Sequence, residues 1–233
     1  MPGLVDDMVG RALAALLPPR CRRCHTPLRG GMLCPPCSAE LPWNHTACTR
    51  CAQPLAVATV CSGCQAQPPP FDQAWAALRL EPPVQHWIHA LKYRADLAQA
   101  PLLGTLMCAQ LARRAAPLPQ LLLPVPLHAI RLRRRGYNQA LEISRVLAHG
   151  LSIPLAIRAA ERIRPTEDQI GQSAAARRRN MRDAFAINGR LDGLHVALVD
   201  DVMTTGATFA SLARACRAAG AVRIEVWAAA RTP

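Results

Sequence analysis

The segment His195-Val196-Ala197-Leu198-Val199-Asp200-Asp201-Val202-Met203-Thr204-Thr205-Gly206-Ala207-Thr208 decides the reading of this chain. Its first five residues form an apolar run of the length and β-branched content of a buried strand. Two adjacent carboxylates follow, then a short loop of small and hydroxylated residues, then a helical pattern from about Thr208 to Ala218 with Gly220 as its stop. Asp200 and Asp201 at a strand tip suit vicinal hydroxyls or a magnesium-bound sugar. The loop made by Met203, Thr204, Thr205, Gly206, Ala207 and Thr208 opens a helix. It therefore offers backbone N–H groups and hydroxyls to a phosphate monoester, and Gly206 permits close backbone approach. Together these residues describe a site for a ribose 5-phosphate.

Working outward, strands and helices alternate. Strand patterns lie at 73–80, 120–125, within 155–163, near Phe185 and at 223–230. Helical patterns lie at 84–94, 101–114 and 138–149. Alternation of this kind predicts an α/β fold, a mostly parallel sheet with helices on both faces, and ligands beyond the carboxyl ends of its strands.

The N-terminal part has a different composition. Eight of the ten cysteines form four Cys-x-x-Cys pairs: Cys21 and Cys24, Cys34 and Cys37, Cys48 and Cys51, Cys61 and Cys64. A shift of 27 positions superimposes the first two pairs on the last two, and 23–28 (RCHTPL) then matches 50–55 (RCAQPL). Each unit brings four thiolates around one tetrahedral ion, so the chain is expected to hold two structural Zn2+ ions in a double zinc ribbon. Four thiolates leave no open position for catalysis. Disulfides would need an oxidising compartment, and a redox Cys-x-x-Cys would occur once, at a helix start. The expected organisation is an amphipathic helix in 1–19, a double zinc ribbon in 20–66, and an α/β domain in 67–233, with the Pro-rich run 67–70 as linker.

The chain has 233 residues, 28 Lys and Arg against 15 Asp and Glu, a formal charge of +13 and only nine aromatic side chains. Its apolar fraction of 51% excludes the disordered and collagen-like classes. No apolar stretch is long enough to span a bilayer, so no integral membrane segment is expected. Asp6 and Asp7 stand where a secretory signal would carry positive charge, which makes the cytoplasm the expected location. Residues 121–183 hold 12 basic and 5 acidic side chains, and Lys92 is the lone lysine of the chain. Such basicity favours phosphate-bearing partners without choosing between nucleic acid and small esters.

The segment 199–208 resembles the signature of the type I phosphoribosyltransferases, whose ligand is 5-phosphoribosyl 1-pyrophosphate (PRPP). Three further segments narrow the match: Pro124-Val125-Pro126-Leu127-His128, then Arg131, then Arg135-Gly136-Tyr137-Asn138-Gln139. With Thr166, Gln169, Arg177, Asn180, Ala184 and Phe185, and the double ribbon before them, they resemble the ComF family of competence-associated proteins. Family members usually carry Phe at the position of Tyr137 and an apolar residue at that of Gln172. The resemblance implies a phosphoribosyltransferase-like domain in which Asp200 and Asp201 hold ribose hydroxyls and Mg2+. The 204–208 loop would hold the 5-phosphate, and Arg131 and Arg135 would face pyrophosphate. Lys92 lies in a Lys-Tyr-Arg string that also matches the family. Gln169, Arg177 and Asn180 would belong to a loop closing over PRPP, although that arginine-rich stretch reads equally as an exposed helix start or a track for nucleic-acid phosphate. The arginine run 131–135 reads alternatively as a solvated basic turn.

Three functions compete on this reading. The first is a PRPP-binding accessory factor of DNA uptake and natural transformation, in contact with single-stranded DNA and other DNA-uptake proteins. The second is an active Mg-dependent phosphoribosyltransferase whose acceptor no pocket in the sequence identifies. The third is a zinc-dependent interaction module on a catalytically silent scaffold.

Overall fold

The computed structural model describes residues 19–163 and 184–233. All but the last residue of the amphipathic helix expected in 1–19, and the residues Thr166, Gln169, Arg177 and Asn180, lie outside them. The chain divides into two compact units, Met1–Leu41 and Pro42–Pro233. The first ribbon therefore forms one unit, and the second ribbon shares a unit with the sheet; the division falls at a different place from the composition change near residue 66.

In the first unit, helix α1 (Pro35–Ala39) begins at the second cysteine pair, with Cys34 as its N-cap and proline at its first position. An isolated bridge between Arg20 and Pro27 closes the first knuckle. The second unit opens with the same arrangement. Ala47 bridges Pro54, and helix α2 (Ser62–Ala66) starts after Cys61.

The sheet is built from β1 (Gln73–Arg79), β2 (Leu121–Pro124), β5 (His195–Met203) and β6 (Arg223–Arg231) in the order β1-β6-β5-β2, every pairing parallel. β3 (Ala160–Arg162) and β4 (Phe185–Ile187) form a separate antiparallel pair. The helices of this unit are α3 (Val84–Tyr93), α4 (Gln99–Leu111), α5 (Ala129–Arg135), α6 (Gln139–Leu151) and α7 (Ala207–Ala218).

Strand alternation sorts the apolar side chains onto two faces. On one, Ala74, Ala76, Val196, Leu198, Ile224, Val226 and Ala228 join Phe209, Leu212, Ala213 and Cys216 of α7 in a continuous core. On the other lie Ala197, Val199 and the fully buried Trp227, while α4 and α6 pack on each other and on the strands. The expected α/β class with a parallel sheet holds, because both faces are covered and the central strands are apolar over most of their length, with Asp200, Asp201 and Glu225 as the acidic exceptions.

Two local expectations are corrected. The strand expected over 195–199 continues to Met203, because β6 runs alongside it and pairs Asp200 with Ala228, Val202 with Ala230 and Met203 with Arg231. The acidic pair thus sits inside the last turn of the pleat. The arginine run 131–135, expected as a loop, is helix α5. His128 caps its start by accepting from the Ile130 N–H, and Gly136, at φ 83°, closes its end in the left-handed region.

Candidate functional site: the carboxyl ends of the sheet

The acidic pair is the centre of the site. Asp201 is 3% exposed while Asp200 is half-buried, and the Asp201 backbone N–H donates to Asp200 Oδ1 at 2.8 Å. Burial and the adjacent Asp201 charge push Asp200 up to about 7, against the opposing pull of Lys92. Lys92, on α3, places its ammonium 2.9 Å from Asp201 Oδ1. Burial acts to lower Lys92, but Asp201 and Asp200 outweigh it and hold the ammonium above the ordinary lysine range. The other oxygen, Asp201 Oδ2, is buried and has no hydrogen-bond partner among the described residues. A buried carboxylate oxygen with a free lone pair fits a ligand hydroxyl or a hard cation such as Mg2+.

The loop that follows is shaped by one glycine. Gly206 caps α7 at φ 75°, in the left-handed region that favours glycine, and a Cβ there would also displace the Met203 methyl group, 2.8 Å away. Thr204 and Thr205 are exposed at the helix start, and Thr205 Oγ1 accepts from the Ala207 N–H at 3.4 Å. Ala207 and Thr208 begin the 12-residue helix whose leading N–H groups point at the loop.

The end of α3 that carries Lys92 is tied to a neighbouring segment. The Tyr137 hydroxyl donates to the Leu91 carbonyl, and Asn138 both caps α6 through the Ala140 N–H at 3.0 Å and donates to the Val125 carbonyl at 2.9 Å. The segment after α5 is thereby tied to α3 and to the end of β2. Arg135 is committed to this scaffold, since it donates to Gln139 Oε1 at 2.7 Å and lies 5.7 Å from the Tyr93 ring centre. Arg131 is half-buried, whereas Arg133 and Arg134 are exposed. The structure thus gathers Asp200, Asp201 and Lys92 by direct contact and links Arg135 to them through Tyr93 and Tyr137. Gln169, Arg177 and Asn180 lie outside the described residues.

Both cysteine sets fit a tetrahedral ion. Within each set the sulfurs lie within 4.8 Å of one another, with Cys24 to Cys34 at 3.6 Å and Cys51 to Cys61 at 3.7 Å. Four thiolates at about 2.3 Å from one zinc stand about 3.8 Å apart. The Cys34 and Cys61 N–H groups donate to the Cys21 and Cys48 sulfurs at 3.4 and 3.3 Å. Burial opposes ionisation of Cys21 and Cys48, but backbone N–H donors outweigh it and bring both thiols down to about 6. Burial and the neighbouring sulfurs push Cys37 up to about 12 and raise Cys64 as well. Such a set can be anionic throughout only around a cation, which is the chemistry of a zinc ribbon.

Two features escaped the sequence reading. A cavity of about 810 Å³ adjoins the loop, walled by Cys51, Gln53 and Cys64 of the second ribbon, Phe71, and Arg214 and Arg231. Arg231, only 7% exposed, spans from that ribbon to the end of β5.

The double zinc ribbon domain family matches residues 12–65. DNA utilization protein YhgH of Salmonella typhi is 36% identical over 170 residues, which span 71% of this chain and 75% of that protein. Its namesake in Escherichia coli strain K12 is 35% identical over 172 residues with the same shares. Competence protein F of Haemophilus influenzae is 41% identical over 117 residues, 49% of this chain and 51% of that one. Among solved structures, the glutamine PRPP amidotransferase of B. subtilis aligns with TM-score 0.38 and 23% identity, over 56% of this chain and 26% of that chain.

Proposed function

Because the chain belongs to the ComF family, as its likeness to DNA utilization protein YhgH and competence protein F shows, we propose that it is a PRPP-binding accessory factor of DNA uptake that contacts single-stranded DNA. The observation that carries PRPP binding is the acidic pair. Asp201 has one oxygen on Lys92 and the other buried and unpartnered among the described residues, directly before a glycine-capped phosphate loop. In this reading Asp200 and Asp201 hold the ribose hydroxyls and the Mg2+ that accompanies PRPP. The 204–208 loop holds the 5-phosphate, and Lys92 keeps two adjacent carboxylates from repelling each other. Gln169, Arg177 and Asn180 would complete the site from the segment 164–183.

The DNA half of the proposal rests on α5 and its neighbour. Arg133 and Arg134 are exposed, and Tyr93, 66% exposed beside Arg135, offers a base-stacking face. Binding to a fluorescent oligodeoxythymidine, followed by anisotropy over a salt series, tests it. Wild type is expected to bind with a steep salt dependence. The pair Arg133→Glu and Arg134→Glu is expected to flatten the log–log slope by about 1–2, at roughly 0.7 per phosphate contact. Equal slopes in both proteins would remove α5 from the DNA interface.

One observation favours the second reading, an active phosphoribosyltransferase: the cavity beside the loop has the volume of a small-molecule site. Pyrophosphate release from PRPP on adding a nucleobase or amine would support that reading.

A further inference from the structure

Arg231 is a buried cation without a carboxylate partner among the described residues. Its guanidinium donates through Nε to the Cys51 carbonyl at 3.1 Å and through Nη2 to Gln53 Oε1 at 2.7 Å. Through Nη1 it reaches the Met203 carbonyl at 3.1 Å, the Thr232 carbonyl at 2.9 Å and Thr232 Oγ1 at 2.8 Å. Each of these acceptors is neutral. Burying a guanidinium among neutral acceptors is unfavourable unless an anion stands close by. Three of the four cysteines of the second ribbon, Cys51, Cys61 and Cys64, line the same cavity as Arg231, and Cys51 itself supplies the carbonyl at 3.1 Å.

A zinc ion with four thiolates carries a formal charge of −2, whereas four protonated thiols carry none. The metal-loaded second ribbon is therefore the counter-charge that the buried arginine lacks. The other end of the same side chain holds Met203, the first residue of the loop that opens α7 and the one whose methyl group lies against Gly206. The repeat is specialised for this role. Where the first unit has His25 and Thr26, the second has Ala52, which is 1% exposed and part of the core, and Gln53, which accepts from Arg231. In the first unit Thr26 instead meets the Cys24 sulfur at 3.2 Å.

We propose that Arg231 is a positioning residue through which zinc in the second ribbon sets the phosphate loop, so that PRPP binding depends on that ion and zinc retention depends on the positive charge of Arg231. The loop half of this statement rests on the PRPP reading; the zinc half does not. The test uses the full chain and two readouts: release of zinc to a chromogenic chelator, and calorimetric titration with PRPP and Mg2+.

Wild type is expected to release its two zinc ions in separate phases. Arg231→Gln is expected to speed one phase about tenfold and to weaken PRPP about tenfold, and Arg231→Lys to restore the zinc phase. Gln53→Ala, which leaves the charge in place, is expected to keep zinc retention. Cys34→Ser, in the other compact unit, is expected to lose one ion and keep PRPP affinity. Equal zinc release in Arg231→Gln and wild type would overturn the counter-charge. Unchanged PRPP affinity in Arg231→Gln, or in Cys64→Ser lacking one zinc, would overturn the coupling to the loop. Failure of zinc-loaded wild type to bind PRPP would sink the PRPP reading instead, and the zinc-release comparison would still decide the role of Arg231.

Discussion

Replacing Lys92 with methionine removes one charge and little volume, and it isolates the electrostatics of the acidic pair. The ammonium stands 2.9 Å from an Asp201 carboxylate that is 4% exposed, while the lysine side chain is itself 26% exposed. At an effective dielectric of about 20 the gross attraction is about 6 kcal/mol, against which desolvation of both ions must be set. Breaking a buried pair by removing one partner costs about 3–5 kcal/mol, and partial exposure of Lys92 moves the expectation to about 2–3 kcal/mol. For a chain of this size that is a Tm lower by about 5–10 °C.

The loss has a pH signature. Without Lys92 the pair takes up a proton more readily, so the folded-state carboxyl value rises further above its unfolded value. Stability tied to that proton is present at low pH and is lost as pH rises through the raised value. The deficit of Lys92→Met against wild type is therefore expected to be larger at pH 8 than at pH 6, measured by thermal melts followed by circular dichroism. A Tm change below about 2 °C, equal at both pH values, would refute the ion pair as the device that holds two adjacent carboxylates together.

Three further outcomes follow from the fold. Glu225 is 1% exposed and accepts from Arg114 at 2.7 and 3.0 Å and from Trp227 at 3.0 Å. Burial acts to raise it, but these donors hold it below the ordinary glutamate range. Its contribution is present above the unfolded glutamate value and lost as pH falls, while burial keeps neighbouring His195 below the ordinary histidine range, so acid works against both. In urea unfolding, Glu225→Gln should be less stable than wild type at pH 7 by about 3–5 kcal/mol, and that gap should narrow between pH 7 and pH 4. Gly220 adopts φ 101°, and a Cβ there would clash with Asp192 Oδ1 and stand 3.0 Å from its Cα; Gly220→Ala should lose about 1–3 kcal/mol in the same urea assay. Elemental analysis of metal-replete protein should give two zinc ions per chain, and Cys48→Ser should give one.

Much of this architecture was legible because it is local. The run 195–199 is apolar enough to require a buried strand, the 27-residue cysteine repeat admits one chemistry, and the Asn138 cap and the Gly220 stop carry their usual signals. What the sequence concealed depends on partners distant along the chain. The end of β5 is set by β6, so no local signal shows that Asp200 and Asp201 remain paired in the sheet. Arginines 131–135 read as a basic turn because seven residues carry too little periodicity to declare a helix. Lys92 stood out by being alone, but its partner lies 109 positions away, and only the packing of α3 brings the two together. Arg231 offered no signal of its own; the available one was the exchange of His25 and Thr26 for Ala52 and Gln53 between otherwise matching repeats, which marks one unit as seated in the core.

Binding of PRPP by this strand end and loop is tested by calorimetric titration of the zinc-loaded chain with PRPP and Mg2+. Saturable binding at one site per chain is expected, weakening at least tenfold in Asp201→Asn and disappearing when Asp200→Asn is added. Absence of binding by wild type at millimolar PRPP, or equal affinity in wild type and the double variant, would contradict it.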